Sequence, residues 1–294
     1  MKIVVNGGLG NQLFQVAYAH QRLKKSNRIG IYQDPNPRLD RPFELDPFLS
    51  ICKHSKIEGT SDEFLLKNKL RVIKILKRMQ LNFLIPLFQR IFRTNLEVKA
   101  FTFDGSNSSS FQNKLSAGYF QHWRHIENAW PIFGIELIST ISKIKVPENL
   151  LNEIQESAVL HIRQGDLNNV KNTMGILSAQ YYSKALDQIT SECPGKNVIV
   201  VTDDVPGARK VLDLKRITRI IGPETLDAWQ TLKIMSLAPY LVTANSTLSW
   251  WGGFLANKAG SKVVLPQPWF LDWHEEVDDA FYFPGSKLQS SDFI

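Results

Sequence analysis

Short apolar runs alternate with stretches of helical period along most of the chain, most regularly after residue 150. Apolar residues from Ala158 open a strand over 158–163, followed by a helix over 178–192, a Pro194-Gly195 break, a strand over 197–202 and a short helix after Asp204. A strand over 216–221, a helix over 223–237 with Glu224 in its first turn, a strand over 239–244, a helix over 246–257 and a strand over 262–265 complete the series. Strands and helices alternating at these lengths predict a parallel, doubly wound sheet. The first half opens the same way: a strand over 2–5, a glycine-rich turn at Asn6-Gly7-Gly8-Leu9-Gly10-Asn11-Gln12, a helix over 12–25 and a strand over 28–32. Another strand is expected over 115–121, with His122, Trp123, Arg124 and His125 at its end. The pattern changes character after Val146-Pro147-Glu148, so two domains are expected, 1–150 and 151–294.

Charge changes this picture in one place. The chain carries a net charge of +7, yet between Glu63 and Glu97 there is no acidic residue, while Lys67, Lys69, Arg71, Lys74, Lys77, Arg78, Arg90 and Arg93 fall there among leucines, isoleucines and phenylalanines. A basic helical segment over 64–96 reads as a surface for anionic lipid headgroups or an acidic partner, or as a solvated helix over the first core. No aromatic platform or nucleic-acid motif accompanies it, so nucleic acid is not an expected partner. With Cys52 and Cys193 as its only cysteines, the chain has neither a disulfide framework nor a thiolate zinc cluster, which points to a reducing compartment. The apolar start is broken at Asn6, too early for a signal-peptide core, and no stretch nears the roughly 18 apolar residues of a spanning helix.

Candidate chemistry gathers at the carboxyl ends of the expected strands, where open parallel sheets bind ligands. Arg163 offers a permanently charged fork suited to phosphate oxygens, and Gly165 lets the backbone turn beside it. Pairing of Arg163 with Asp166 is the plainer alternative. Asp203 and Asp204 end the next strand. Helix capping alone explains Asp204, which leaves Asp203 as a ligand candidate for a ribose hydroxyl or a base amino group. Asn245, Ser246, Thr247 and Ser249 open a helix whose first amides, hydroxyls and positive dipole end favour an anion, although such residues also cap ordinary helices. The first turn resembles a dinucleotide fingerprint, but its third glycine position is Leu13, so a nicotinamide cofactor is not expected. A P-loop is absent, and the six histidines show no metal-ligand spacing, so no metal is expected. Together the strand ends suit a nucleoside diphosphate.

At these residues the sequence becomes recognisable. GGLGNQLFQVAYA, GYFQ, HIRQGD, VTDD and NSTLSWWGGFLA, in this order, resemble the bacterial α-1,2-fucosyltransferases, the eleventh glycosyltransferase family. The resemblance implies a GT-B-like α/β fold, two Rossmann-like domains facing a central cleft, with an acceptor-side first domain and a GDP-sugar-binding second. It implies transfer of L-fucose from GDP-L-fucose to the 2-hydroxyl of a terminal galactose, with inversion and without a metal or other cofactor. By the same resemblance Arg163 is the pyrophosphate ligand, His161 shapes its loop, Gly8, Gly10 and Asn11 sit near the sugar and diphosphate, Asp203 faces the nucleoside, and Asn245, Ser246, Thr247 and Ser249 hold the phosphates. Asp166 is the expected base, with Asn11 counted beside it and Arg163 in the catalytic set. His122, Trp123 and His125 are expected on the acceptor side. Family members often carry a second arginine directly after the first; here Gln164 donates a hydrogen bond but no charge. Surface-polysaccharide (O-antigen) assembly, a lipid-linked acceptor and a cytoplasmic place on the inner face of the membrane follow as expectations.

Overall fold

The computed structural model describes residues 2–23, 28–34, 42–57, 68, 71–72, 75–76, 78–91, 94–96, 101, 103, 115–165, 171–272 and 275–294. It divides into two units, Met1–Thr140 and Ile141–Ile294, the division falling inside the helix Trp123–Lys143 rather than near residue 150. That helix was not expected. The residues after strand 115–121 read as a strand end, whereas the strand stops at Ala117 and His122 directly precedes a 21-residue helix that tolerates Pro131.

In the first unit, β1 (Lys2–Val5), β2 (Ile29–Gln33), β3 (Ser55–Ile57), β4 (Thr94–Leu96) and β5 (Leu115–Ala117) form one sheet in the order β3-β2-β1-β5-β4, with every pairing parallel. The chain winds from β1 to β3 in one direction and then returns to β1's other side, so the switch point lies between β1 and β5. The helix of this unit's opening βαβ spans Leu9–His20, three residues earlier than expected, and nearly all its positions are buried. The basic segment is not one helix. Its described residues include a turn at Met79–Gln80, a 3₁₀ turn Asn82–Leu84, a helix Ile85–Ile91 and the edge strand β4. Gln80 sits at φ +58°, in the left-handed region, which ends any continuous helical path.

In the second unit, β6 (Ala158–Ile162), β7 (Val198–Thr202), β8 (Arg219–Ile221), β9 (Tyr240–Val242), β10 (Lys262–Gln267) and β11 (Lys287–Ser290) form a parallel sheet in the order β11-β10-β9-β6-β7-β8. Its switch point lies between β6 and β9. The pleat separates two buried faces. Ala158, Leu160, Ile162, Val200, Val242 and Val264 pack with Tyr181, Tyr182, Ala185 and Leu186 of the helix Ala179–Glu192. On the opposite face Val263 and Thr243 meet the helix Thr247–Lys258 at Gly253. Trp250 anchors this helix: it is fully buried, stacks on Phe254 at 5.0 Å and donates its indole N–H to the Phe281 carbonyl at 2.7 Å.

Two further expectations shift. Glu224 precedes its helix, which spans Ala228–Leu237 and starts at a capping box of Asp227 and Gln230. The residues after 265 add β11 to the sheet edge. Among the described residues no helix is long and apolar enough to cross a membrane. A side chain at Gly252 would meet the Met235 Cβ at 2.6 Å, on the neighbouring helix. Gly252→Ala is therefore expected to lower the unfolding free energy by roughly 1–3 kcal/mol, read as a lower urea midpoint at unchanged slope.

Candidate active site

The second unit gathers its chemistry on either side of its switch point. β6 delivers Arg163, Gln164 and Gly165 at its carboxyl end, and β7 delivers Asp203 beside them, since Ile162 pairs with Thr202. The Asp203 carboxylate clamps the β6 loop. One oxygen accepts from the Gln164 amide at 2.9 Å, and the other accepts from the Gly165 amide at 3.0 Å and pairs with the Arg163 guanidinium at 3.1 Å. A side chain on Gly165 would fall 2.6 Å from that second oxygen, so the clamp requires glycine there. Asp203 is thus a partner of Arg163, and Asp166, the partner weighed from the sequence, lies outside the described residues. Both partners keep part of their surface in solvent, 23% for Arg163 and 18% for Asp203. A guanidinium has five donors, enough to hold a carboxylate and phosphate oxygens together.

Gln164 is buried and lies against Gly207, in the first turn of the helix Val205–Val211. A neutral amide suits that wall, where a second guanidinium would have to be desolvated. Asp204 caps the same helix by accepting from the Gly207 amide at 3.0 Å, as expected for it.

Across the switch point, β9 leads to the helix Thr247–Lys258. Ser246 caps it, accepting from the Ser249 amide at 3.2 Å, and the Ser249 hydroxyl accepts from the Ala244 amide at 2.9 Å. Ser246 and Thr247 are half-buried, at a helix start whose first amides have no acceptor within the helix. Asn245 is fully buried and donates its amide to the carbonyls of Met174 and Gly175, so it ties down a loop instead of presenting itself at the surface. His161 is buried on the face opposite Leu160, and its Nδ1 has no hydrogen-bond partner among the described residues. Burial, helped by the Arg163 charge, pushes its pKa down to about 3, so the ring is neutral.

The first unit has its own polar cluster at its switch point. Gly7 adopts φ +73° and starts the turn. Gln15 accepts from the Asn6 amide and donates to the Gly118 carbonyl, both at 3.0 Å, tying the ends of β1 and β5 together. Gln121 donates to the Asn11 side-chain carbonyl at 2.8 Å. The Leu9 amide, beside Gly8 and Gly10, donates to the Glu44 carboxylate at 2.6 Å, so a phosphate at that amide would have to displace a carboxylate. Gln12, Gln15 and Glu44 escaped the sequence reading; two glutamines three apart on a nearly all-buried helix were the available signal. His122 and His125 are buried. His122 accepts from the Arg124 amide at 3.2 Å, and His125 packs edge-on against Tyr18 and bonds Gln21 at 2.8 Å. Of the expected acceptor residues, Trp123 alone is half-exposed.

Against known families, residues 1–282 match the model of glycosyl transferase family 11. The chain belongs to that family. A family 11 glycosyltransferase moves a sugar from a nucleotide-sugar donor to a glycan acceptor. The chain is 27% identical over 289 residues to an O-antigen biosynthesis glycosyltransferase, WbnK, of Escherichia coli, covering 90% of this chain and 93% of the relative. It is 25% identical over 303 residues to an alpha-1,2-colitosyltransferase of Escherichia coli, covering 92% and 93%. Among solved structures it resembles a Bradyrhizobium fucosyltransferase, NodZ, at a TM-score of 0.49 and 12% identity, covering 86% and 91% of the two chains.

The neutral, buried His161 gives this family 11 chain a pH signature. Unfolded, the ring gains a proton below about pH 6.5, whereas folded it holds out to about 3, so stability is full above 6.5 and lost as pH falls. The expected share is up to about 1.4 kcal/mol per pH unit. Urea melts between pH 7 and 5 should show a shallower acid-side loss for His161→Gln than for the parent; equal slopes would mean that His161 titrates normally in the fold.

Proposed function

We propose that the chain transfers L-fucose from GDP-L-fucose to the 2-hydroxyl of a terminal galactose with inversion, in O-antigen assembly. The observation that carries this reading is the Arg163–Asp203 clamp after β6 and β7 on one side of the second sheet's switch point, with the start of the helix Thr247–Lys258 after β9 on the other. A leaving GDP develops negative charge on its diphosphate. The Arg163 guanidinium, positioned before reaction by Asp203, and the amides and hydroxyls at Ser246 and Thr247 neutralise that charge without reorganising. The fucosyl carbon meanwhile takes on oxocarbenium character, and the galactose hydroxyl must lose a proton as it attacks. Asp166, one residue past the clamped Gly165, is our choice for that base. His122 and His125 are less suited because both rings are buried. Gln164 lies in the packed wall, so loss of a second arginine there removes no charge from the open side of the loop.

An α-1,2 linkage is supported by the colitosyltransferase relative, and O-antigen assembly by the other. The first of these also favours a second reading, a colitose donor. Colitose is fucose lacking one hydroxyl, and a site that hydrogen-bonds this hydroxyl discriminates by orders of magnitude. Incubation with GDP-fucose and galactose-terminated oligosaccharides, with no divalent metal added, is expected to yield α-1,2-fucosylated product. Product formed only from the colitose donor would replace the first reading with the second. Arg163→Ala is expected to cut transfer by at least about 10²-fold with an unchanged melting profile; retained turnover would remove Arg163 from the site.

The same reading places the enzyme at a membrane surface. Val72, Ile75, Met79, Phe83, Leu87 and Ile91 recur every three or four residues and are each between 38% and 74% exposed. Arg71, Arg78 and Arg90 are exposed among them, and acidic residues are missing throughout 64–96. Apolar side chains to enter the headgroup region, with cations to meet anionic lipid, describe an interfacial segment. Vesicles of phosphatidylglycerol and phosphatidylethanolamine should pellet the protein at low salt and release much of it when salt screens the charge. Failure to pellet at low salt would end the membrane assignment.

A further inference from the structure

In the first unit the C-terminal end of the helix Leu9–His20, the loop after the helix Asp46–Leu49 and the middle of the helix Trp123–Lys143 meet through three buried side chains: His20, Cys52 and Glu136. Their ligand-type atoms all lie within 4.8 Å of one another. We propose that His20 Nε2, Cys52 Sγ and Glu136 Oε2 hold one zinc ion that staples these segments together.

The surrounding hydrogen bonds fix which atoms face inward. His20 Nδ1 lies 2.9 Å from the Val16 carbonyl, which can only accept, so Nδ1 carries the proton and Nε2 presents its lone pair to the cluster. A backbone carbonyl that sets the tautomer is the usual partner of a metal-binding imidazole. Glu136 Oε1 accepts from the Lys53 amide at 3.1 Å and lies 2.9 Å from His54 Nδ1, which orients Oε2 toward the other two groups. His20 Nε2 then faces Glu136 Oε2 at 3.3 Å and Cys52 Sγ at 3.7 Å, while the thiol donates to Oε2 at 2.8 Å. Three electron-rich atoms converge with one thiol proton among them, and the imidazole–carboxylate pair needs a positive charge between.

Tetrahedral zinc with bonds of about 2.0–2.3 Å has ligand–ligand edges of roughly 3.3–3.6 Å. The nitrogen–oxygen and nitrogen–sulfur separations are already near that range. The sulfur–oxygen separation must open by roughly 0.7 Å to reach it, the expected direction once the thiol proton leaves. The Ser55 hydroxyl is buried beside the Cys52 sulfur, where hydrogen bonding to it favours the thiolate. Burial, reinforced by Glu136, pushes the Cys52 thiol up to about 11, so it stays protonated unless a cation displaces the proton. Glu136, acceptor for the Cys52 thiol and the Lys53 amide, is the carboxylate ligand of the three. One sulfur, one imidazole and one carboxylate suit zinc and do not suit magnesium or calcium, which take oxygen.

The alternative occupant is a proton, giving a His20 imidazolium paired with Glu136. The whole chain, stripped with chelator and dialysed, should bind one cobalt ion with a thiolate-to-metal absorption in the near ultraviolet, and one zinc ion should displace it. Cys193→Ser should keep that absorption and Cys52→Ser should lose it. Should Cys52→Ser fail to fold, the parent protein still decides: zinc, but not magnesium, should slow alkylation of Cys52 at least tenfold relative to Cys193. Absence of metal uptake, an absorption that survives Cys52→Ser, or unchanged Cys52 labelling would each overturn the site in favour of the proton. None of these readings depends on which sugar is transferred.

Discussion

Everything at the second switch point hangs on one carboxylate. Asp203 accepts two consecutive backbone amides and a guanidinium, so a loop that would otherwise sample many shapes is held at Gln164, Gly165 and Arg163 at once. A cation used to stabilise a leaving group is most effective when it need not move to meet the charge. The cost is that Asp203 itself is largely committed to the loop, and the nucleoside-facing role expected of it would fall to whatever surface the carboxylate leaves in solvent, 18% of the side chain. The clamp also explains local sequence: only glycine fits at 165, and a neutral side chain suits the walled-in position 164.

The two sheets handle charge differently at equivalent points. At the first switch point an internal anion, Glu44, already occupies the Leu9 amide, and amide side chains from Gln12, Gln15 and Gln121 fill the rest. At the second, the helix start behind Ser246 carries hydroxyls, with a guanidinium across the switch point. An anion at the Leu9 amide would have to displace Glu44, whereas at the second sheet the Arg163 side chain, though paired with Asp203, keeps 23% of its surface in solvent.

Much of the architecture was legible because buried parallel strands are continuous apolar runs, and 158–162, 198–202 and 262–265 announce themselves that way. Arg163 and the Ser246 helix start were legible for a related reason: polar residues directly after such a run lie at a ligand-binding edge. The helix Trp123–Lys143 was missed because histidines, tryptophans and Pro131 blur its period, and β11 because Lys287–Ser290 exposes most of its residues. The Arg163–Asp203 pair was not legible because Asp203 is forty residues away and arrives through the pairing of β6 with β7. His20, Cys52 and Glu136 belong to the same class. Single residues 32 and 84 positions apart make no motif, and the fold alone brings them together.

The outer strand β11 lies beside β10, and the residues after it hold the loop near Gly175: the Ile294 amide donates to the Ile176 carbonyl at 2.9 Å and Phe293 packs on Gly175. That loop in turn receives the Asn245 amide, next to the hydroxyl-bearing helix start. A change at the outer edge of this sheet is therefore passed on, through that loop and the Asn245 side chain, to the start of the helix Thr247–Lys258.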